Sequence, residues 1–254
     1  MEKLRMKRIV AVGMCAWALM AASLMVSAQT AKPAKPAGAV AKTPYYIDPA
    51  VLELPALFPD PPAAGSPANK AELAELHSIE ASRTPAQVAA AKADEDEEDM
   101  FLYKTVLGTD FNPDALPVTE QLNLHVINEQ SIAGGALKAL FARVRPYNAD
   151  KTLHPVCGLT QAANSYPSGH ALTGYLEGLT LAEIVPEMRT EILARADDYA
   201  HNRLVCGVHY PSDIEASRRV AYVVFGYMMA TPKFQHDLAA AKSEMRARLK
   251  LAAK

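Results

Sequence analysis

Ser168-Gly-His-Ala-Leu-Thr-Gly-Tyr-Leu-Glu-Gly-Leu-Thr-Leu-Ala-Glu-Ile184 has the apolar pattern of a buried helix. The chain on either side has the same texture. Downstream, Pro186 suits the first turn of a helix running to about Val205. Ser212 with Glu215 fits a capping box for a helix to about Met229. Thr231-Pro232 restarts the chain as a last amphipathic helix to about Leu251. Upstream, residues 147–167 read as loop, and 117–146 as a helical region with Gly134-Gly135 as a candidate break. Residues 69–82 and 84–107 are further helix candidates. From about residue 69 onward Ala, Leu, Glu, Lys and Arg dominate, and nothing alternates with period two over a useful length. The expected fold class is all-α, a single globular helical domain over 69–254.

The N-terminal part differs. Residues 1–28 read as a secretory signal: Lys3, Arg5, Lys7 and Arg8 precede an apolar run, and Val26-Ser27-Ala28 offers small residues for cleavage. Residues 29–68, rich in Ala, Pro and Lys, read as an extended tail and loop. Tyr45, Tyr46, Leu52, Leu54 and Leu57 are candidates to pin it to the body.

Half of the 254 residues are apolar, which excludes a disordered chain, and 12 Gly with 3 Cys exclude collagen-like and disulfide-framework classes. With 26 basic and 28 acidic residues the formal charge is −2, which does not suit a nucleic-acid binder. Residues 1–28 hold four Lys/Arg and one Glu, so their removal leaves 22 basic against 27 acidic residues, a charge of −5. An anion site must then be a local basic cluster. No stretch after the signal is long enough to span a bilayer. Cys157 and Cys206 remain; a bridge and two buried thiols are both compatible with the sequence. The acidic run Asp94–Asp99 reads as a solvated face.

Three segments carry chemistry. Lys138 and Arg145-Pro146 are spaced so that two cations would share a helix face and hold an anion, although a solvated amphipathic helix gives the same pattern. Pro167-Ser168-Gly169-His170 opens a helix whose free N–H groups, with the Ser168 hydroxyl, suit a phosphate; an ordinary Pro-Ser cap is the plainer alternative. In Asn202-Arg203-Leu-Val-Cys206-Gly207-Val-His209-Tyr-Pro-Ser-Asp213, Asp213 lies four residues from His209, close enough to fix its tautomer. A structural His–Asp pair would look alike.

Together the segments resemble the type 2 phosphatidic acid phosphatase and vanadium haloperoxidase superfamily, with its Lys-x6-Arg-Pro, Pro-Ser-Gly-His and Ser-Arg-x5-His-x3-Asp pattern. Ten of the eleven fixed positions match in order and spacing; Asn202 replaces the usual Ser. At roughly 5% chance per position this is not accidental. Within that superfamily the chain looks like the class A bacterial non-specific acid phosphatases, through Tyr45-Tyr46, Leu57-Phe-Pro-Asp-Pro-Pro, Leu204-Val-Cys206-Gly207 and Pro232-Lys-Phe-Gln as well.

The resemblance implies a periplasmic or secreted phosphomonoester hydrolase acting through a phosphohistidine, with transfer to alcohols as a further outcome. His209 would be the nucleophile, Asp213 its support and His170 the general acid. Lys138, Arg145, Ser168, Gly169 and Arg203 would bind phosphate. No cofactor or metal is implied, and His77, His125, His154, His201 and His236 form no ligand set. The expected partners are small phosphomonoesters, with no nucleic acid, no membrane insertion after cleavage, and self-association into a dimer or larger assembly. A vanadate-dependent haloperoxidase using the same anion cage is the alternative.

Overall fold

A computed structural model describes residues 42–48 and 52–249. The signal segment 1–28, the cleavage point and part of the tail lie outside the described residues. Helices follow in the order α1 (Leu54–Leu57), α2 (Pro67–Ser82), α3 (Pro85–Glu95), α4 (Lys104–Leu107), α5 (Pro117–Phe141), α6 (Pro146–Ala149), α7 (Gly169–Ile184), α8 (Arg189–Val205), α9 (Pro211–Met229) and α10 (Pro232–Arg248). No strand occurs among the described residues, so the fold is all-α. None of the described helices is long and apolar enough to cross a membrane.

Proline starts helices here rather than breaking them. Pro67, Pro85, Pro117, Pro211 and Pro232 each occupy a first helical position, where the missing N–H costs nothing. Ser66, Thr84, Ser168 and Thr231 cap their helices by accepting a first-turn N–H.

α7 is the axis of the fold and packs against α5, α8, α9 and α10. Two of its glycines set how closely its neighbours approach. A Cβ on Gly174 would lie 2.7 Å from the Tyr199 ring, and one on Gly178 would run into the Tyr103 hydroxyl. That hydroxyl donates to the Gly174 carbonyl at 2.6 Å.

Several expected boundaries move. The 84–107 candidate is not one helix: α3 stops at Glu95, and a 3-10 turn (Met100–Tyr103) leads into α4. Like charges along Asp96–Asp99 disfavour continuation, and Asp99 caps the new turn by accepting from Phe101 N–H at 2.8 Å. Gly134-Gly135 does not break α5, because Gly134 packs its bare backbone side against Leu172 of α7. α5 ends earlier, at Phe141, with Ala142 in the left-handed region. Ser212 and Glu215 form no capping box. Pro211 takes the first helical position, and Asp213 accepts from Tyr210 N–H at 2.9 Å.

The segment 42–48 is strapped across α5 and α10. Glu129 Oε1 accepts from the N–H groups of Tyr45 and Tyr46 at 2.5 and 2.8 Å, and Tyr46 donates to Asp237 at 2.9 Å. Leu52 and Leu54 are buried as expected, with Phe58 beside them, but Leu57 is 53% exposed and pins nothing.

Glu177 of α7 is fully buried, and neither carboxyl oxygen has a partner among the described residues. Burial holds its carboxyl well above the ordinary range, and Asp99 and Glu120 push the same way. The unfolded chain ionises Glu177 at its ordinary value while the folded chain keeps the proton. Folding stability from this group is therefore lost as pH rises above that value.

Two measurements follow. Gly178→Ala should lower the unfolding free energy by about 1–3 kcal/mol through overpacking. Gly135→Ala, where an added Cβ meets nothing within 4 Å, should gain up to about 1 kcal/mol. Urea unfolding reads both, and a neutral Gly178→Ala would contradict the close packing. Glu177→Met should be more stable than wild type, with the gap widening by up to about 4 kcal/mol between about pH 5 and pH 8. A gap that does not change with pH would show that Glu177 ionises normally.

Candidate functional site

The three segments meet where α7 begins and where the chain turns from α8 into α9. That turn is built with care. Gly207 has φ +73°, and a Cβ there would sit 3.3 Å from the Pro155 backbone, so glycine alone fits without strain. Cys157 and Cys206 are joined by a disulfide with Cα atoms 5.3 Å apart, and Val156 N–H donates to the Cys206 carbonyl at 3.0 Å. The turn brings His209 beneath the N-terminus of α7 and places Asp213 in the first turn of α9.

His209 and Asp213 are both fully buried. Asp213 Oδ2 lies 3.1 Å from His209 Nδ1 and also accepts from the Ser165 hydroxyl at 2.5 Å and Tyr210 N–H at 2.9 Å. Oδ1 accepts from Arg143 at 2.6 Å. A carboxylate ringed by donors leaves the proton on His209 Nδ1. Arg145 Nη1, which can only donate, is 3.1 Å from Nε2. That nitrogen therefore carries the lone pair. Burial, then Arg145, Lys138, Arg203 and His170, hold the imidazole well below the usual histidine range, so it is neutral. Burial raises the Asp213 carboxyl, while Arg143, Ser165 and Tyr210 N–H pull it back.

Lys138, Arg145 and Arg203 converge on this pair from separate elements. Lys138 and Arg145 do not share a helix face, because α5 ends between them and Arg145 caps α6. A turn through Ala142 unites them instead. Lys138 Nζ donates to the carbonyls of Asn164 and Pro167, both at 2.6 Å. Arg145 donates to the Asn164 side chain at 2.9 Å and the Val208 carbonyl at 3.0 Å. Arg203 is buried, with Cys206 Sγ 3.7 Å from Nη1 and no partner for Nε among the described residues. Burial, then Arg145, lowers the Lys138 ammonium to about 7. Burial lowers both arginines too. Positive charge exceeds negative charge in this interior, and an anion would relieve it.

At the start of α7, Ser168 Oγ accepts from Ala171 N–H at 3.4 Å and Ser168 N–H donates to the Asp213 carbonyl at 3.2 Å. The Ser168 N–H is thus not free as expected. Those of Gly169 and His170 have no acceptor among the described residues and remain at the helix N-terminus. His170 Nε2 lies 3.0 Å from the Glu95 carbonyl and 2.9 Å from Glu98.

The structure thus gathers all eight residues singled out for catalysis and phosphate. It also adds some. Arg143 bridges Asp213 and Glu72, at 2.6 and 2.7 Å, and lies over the Tyr210 ring. It stood inside the Lys138–Pro146 stretch, but its carboxylate partners are far away in sequence. Asn202 donates to Asp94 at 2.7 Å, and Asp94 in turn holds Arg195. The departure from Ser therefore bears on that pair and not on Arg203 directly. The acidic run is solvated only in part: Asp96 and Glu98 are exposed, whereas Asp94 is buried. Among the described residues no three His, Cys, Asp or Glu side chains gather so as to hold a metal ion.

A model of the PAP2 superfamily matches residues 123–237. A non-specific acid phosphatase of Salmonella typhimurium is 32% identical over 162 residues, covering 62% of this chain and 65% of that one, just under two thirds of its length. One from Salmonella typhi is 28% identical over 222 residues, 84% of this chain and 88% of that one. An acid phosphatase of Zymomonas mobilis is 27% identical over 210 residues, 79% of this chain and 76% of that one. Every residue from Lys138 to Asp213 that builds the buried cation cluster lies inside the matched span, and the chain is similar to the PAP2 superfamily over that span and to the bacterial non-specific acid phosphatases.

Proposed function

We propose that this chain is an acid phosphatase that hydrolyses phosphomonoesters through a phosphohistidine on His209, in the periplasm or outside the cell after removal of residues 1–28. The observation that supports it most is a neutral imidazole whose Nδ1–H is held by Asp213 at 3.1 Å and whose Nε2 lone pair faces a buried excess of cations. Nε2 attacks phosphorus, the bond to the leaving oxygen breaks, and His170 gives that oxygen a proton. Water then attacks the phosphohistidine, His170 takes its proton, and the P–N bond breaks. An alcohol in place of water would give phosphoryl transfer. Lys138, Arg145 and Arg203, with the Gly169 N–H and the Ser168 hydroxyl, stabilise the charge on the equatorial oxygens.

A cavity of about 190 Å³ adjoins His170, lined by Lys42, Glu98, Gln130, Ser131 and Thr173 among others. Its polar walls and small size favour a hydrophilic leaving group over an acyl chain.

Hydrolysis of p-nitrophenyl phosphate at mildly acidic pH in excess EDTA tests the reading. Wild type should turn over, and His209→Ala should lose about a thousand-fold or more. Equal turnover in both would sink the mechanism. The Lys138 ammonium adds a pH test. It loses its proton above about 7 when no anion is bound, so anion affinity should weaken as pH rises beyond that point. Sulfate, doubly charged throughout, should bind wild type up to about ten-fold more weakly per pH unit there. Lys138→Met should bind weakly and with little pH dependence. A wild-type sulfate affinity that stays level from about pH 6 to pH 9 would contradict this.

A further inference from the structure

The acidic run Asp94–Asp99 plays no part in the scheme above, yet it is held at several points. Asp94 takes both Nη atoms of Arg195, at 2.6 and 2.9 Å, and the Asn202 amide at 2.7 Å. The Glu95 side chain accepts from Gly158 N–H at 2.6 Å. The Glu97 carbonyl takes the Tyr199 hydroxyl, and Asp99 caps the following turn. These anchors come from α8, from the loop after Cys157 and from the run itself. The wall they fix presents two acceptors to one nitrogen. The Glu95 carbonyl is 3.0 Å and Glu98 Oε1 is 2.9 Å from His170 Nε2. A ring nitrogen facing two acceptors carries a proton.

We propose that Glu98 is a positioning residue for His170: with the Glu95 carbonyl it holds Nε2–H, so that Nδ1 is the nitrogen that exchanges a proton with the substrate. The inference rests on the phosphatase reading. In the first half-reaction the proton on Nδ1 passes to the leaving oxygen as the P–O bond breaks. In the second, Nδ1 takes a proton from the attacking water as the P–N bond breaks. Nε2 keeps its proton throughout. The arrangement mirrors the other pair, in which a carboxylate holds Nδ1–H of His209 and Nε2 reacts. The two histidines are gripped by opposite nitrogens, and that lets one act as nucleophile while the other moves protons.

The Glu98 side chain is 59% exposed, so its ion pair contributes little to stability and Glu98→Ala should fold. The full chain is assayed on two substrates. The leaving group of p-nitrophenyl phosphate needs little protonation, whereas that of glycerol 2-phosphate needs a full proton. The readout is kcat/KM, which reports the phosphorylation half alone. Glu98→Ala should lose about ten-fold on glycerol 2-phosphate, part of what general acid catalysis supplies, and less than about two-fold on p-nitrophenyl phosphate. In a His170→Ala background the same substitution should add nothing on either substrate. Equal losses on both substrates, no loss on either, or a full further loss in the His170→Ala background would overturn the proposal. A wild type that turns over neither substrate overturns the phosphatase reading and this inference with it. A competent wild type beside an unaltered Glu98→Ala overturns this inference alone.

Discussion

Asp213 has no access to solvent, and a carboxylate in that position costs several kcal/mol unless donors inside the protein surround it. The donors that do so come from different places. Arg143 arrives from the turn after α5, Ser165 from the loop before α7, and His209 and Tyr210 from the turn after α8. The Asp213 carbonyl is used as well, by Ser168 N–H at 3.2 Å and by the Ser217 hydroxyl at 2.7 Å. One residue thereby fixes the exit of α5, the entry of α7 and the start of α9 relative to one another. The imidazole of His209 is oriented as a consequence of that arrangement.

Charge is sorted around this hub. Arg143 is answered by Glu72 and Asp213, and Arg195 by Asp94. The partners of Lys138, Arg145 and Arg203 are of another kind: carbonyls, an amide, a sulfur and a neutral imidazole. None of these cancels charge. Burial opposes the charged form of all three, and under the proposed function the sum is an interior prepared for an anion before one arrives. Such preorganisation is what lowers a barrier when negative charge spreads over phosphoryl oxygens.

The motifs were legible because their chemistry is local. His209 and Asp213 are four residues apart, and Ser168, Gly169 and His170 are consecutive, so spacing alone places them together. The all-α class was legible from texture for a similar reason, since helix propensity accumulates over neighbours. The helix limits were less so. Lys138 and Arg145 meet through a turn at Ala142 that the apolar pattern does not announce, and α5 runs through Gly134-Gly135 because α7 lies against it. Arg143 with Glu72, and Asp94 with Arg195, depend on residues roughly seventy to a hundred positions apart. No pattern within a window reports such pairs. The burial of Asp94 at the start of the acidic run was hidden for the same reason, since its partners Arg195 and Asn202 lie on α8.

The bridge between Cys157 and Cys206 closes 49 residues of chain. That loop contains α7, α8, His170 and Arg203, and His209 follows three residues after it. Joining its ends removes disorder from the unfolded chain worth about 4 kcal/mol by the loop-entropy account. A copy of the chain held where glutathione keeps thiols reduced lacks that contribution. The part of the molecule that forgoes it is the part that carries the histidines. The rigidity of this region is in this way tied to the redox state of its surroundings, and it is complete only where the two thiols can oxidise.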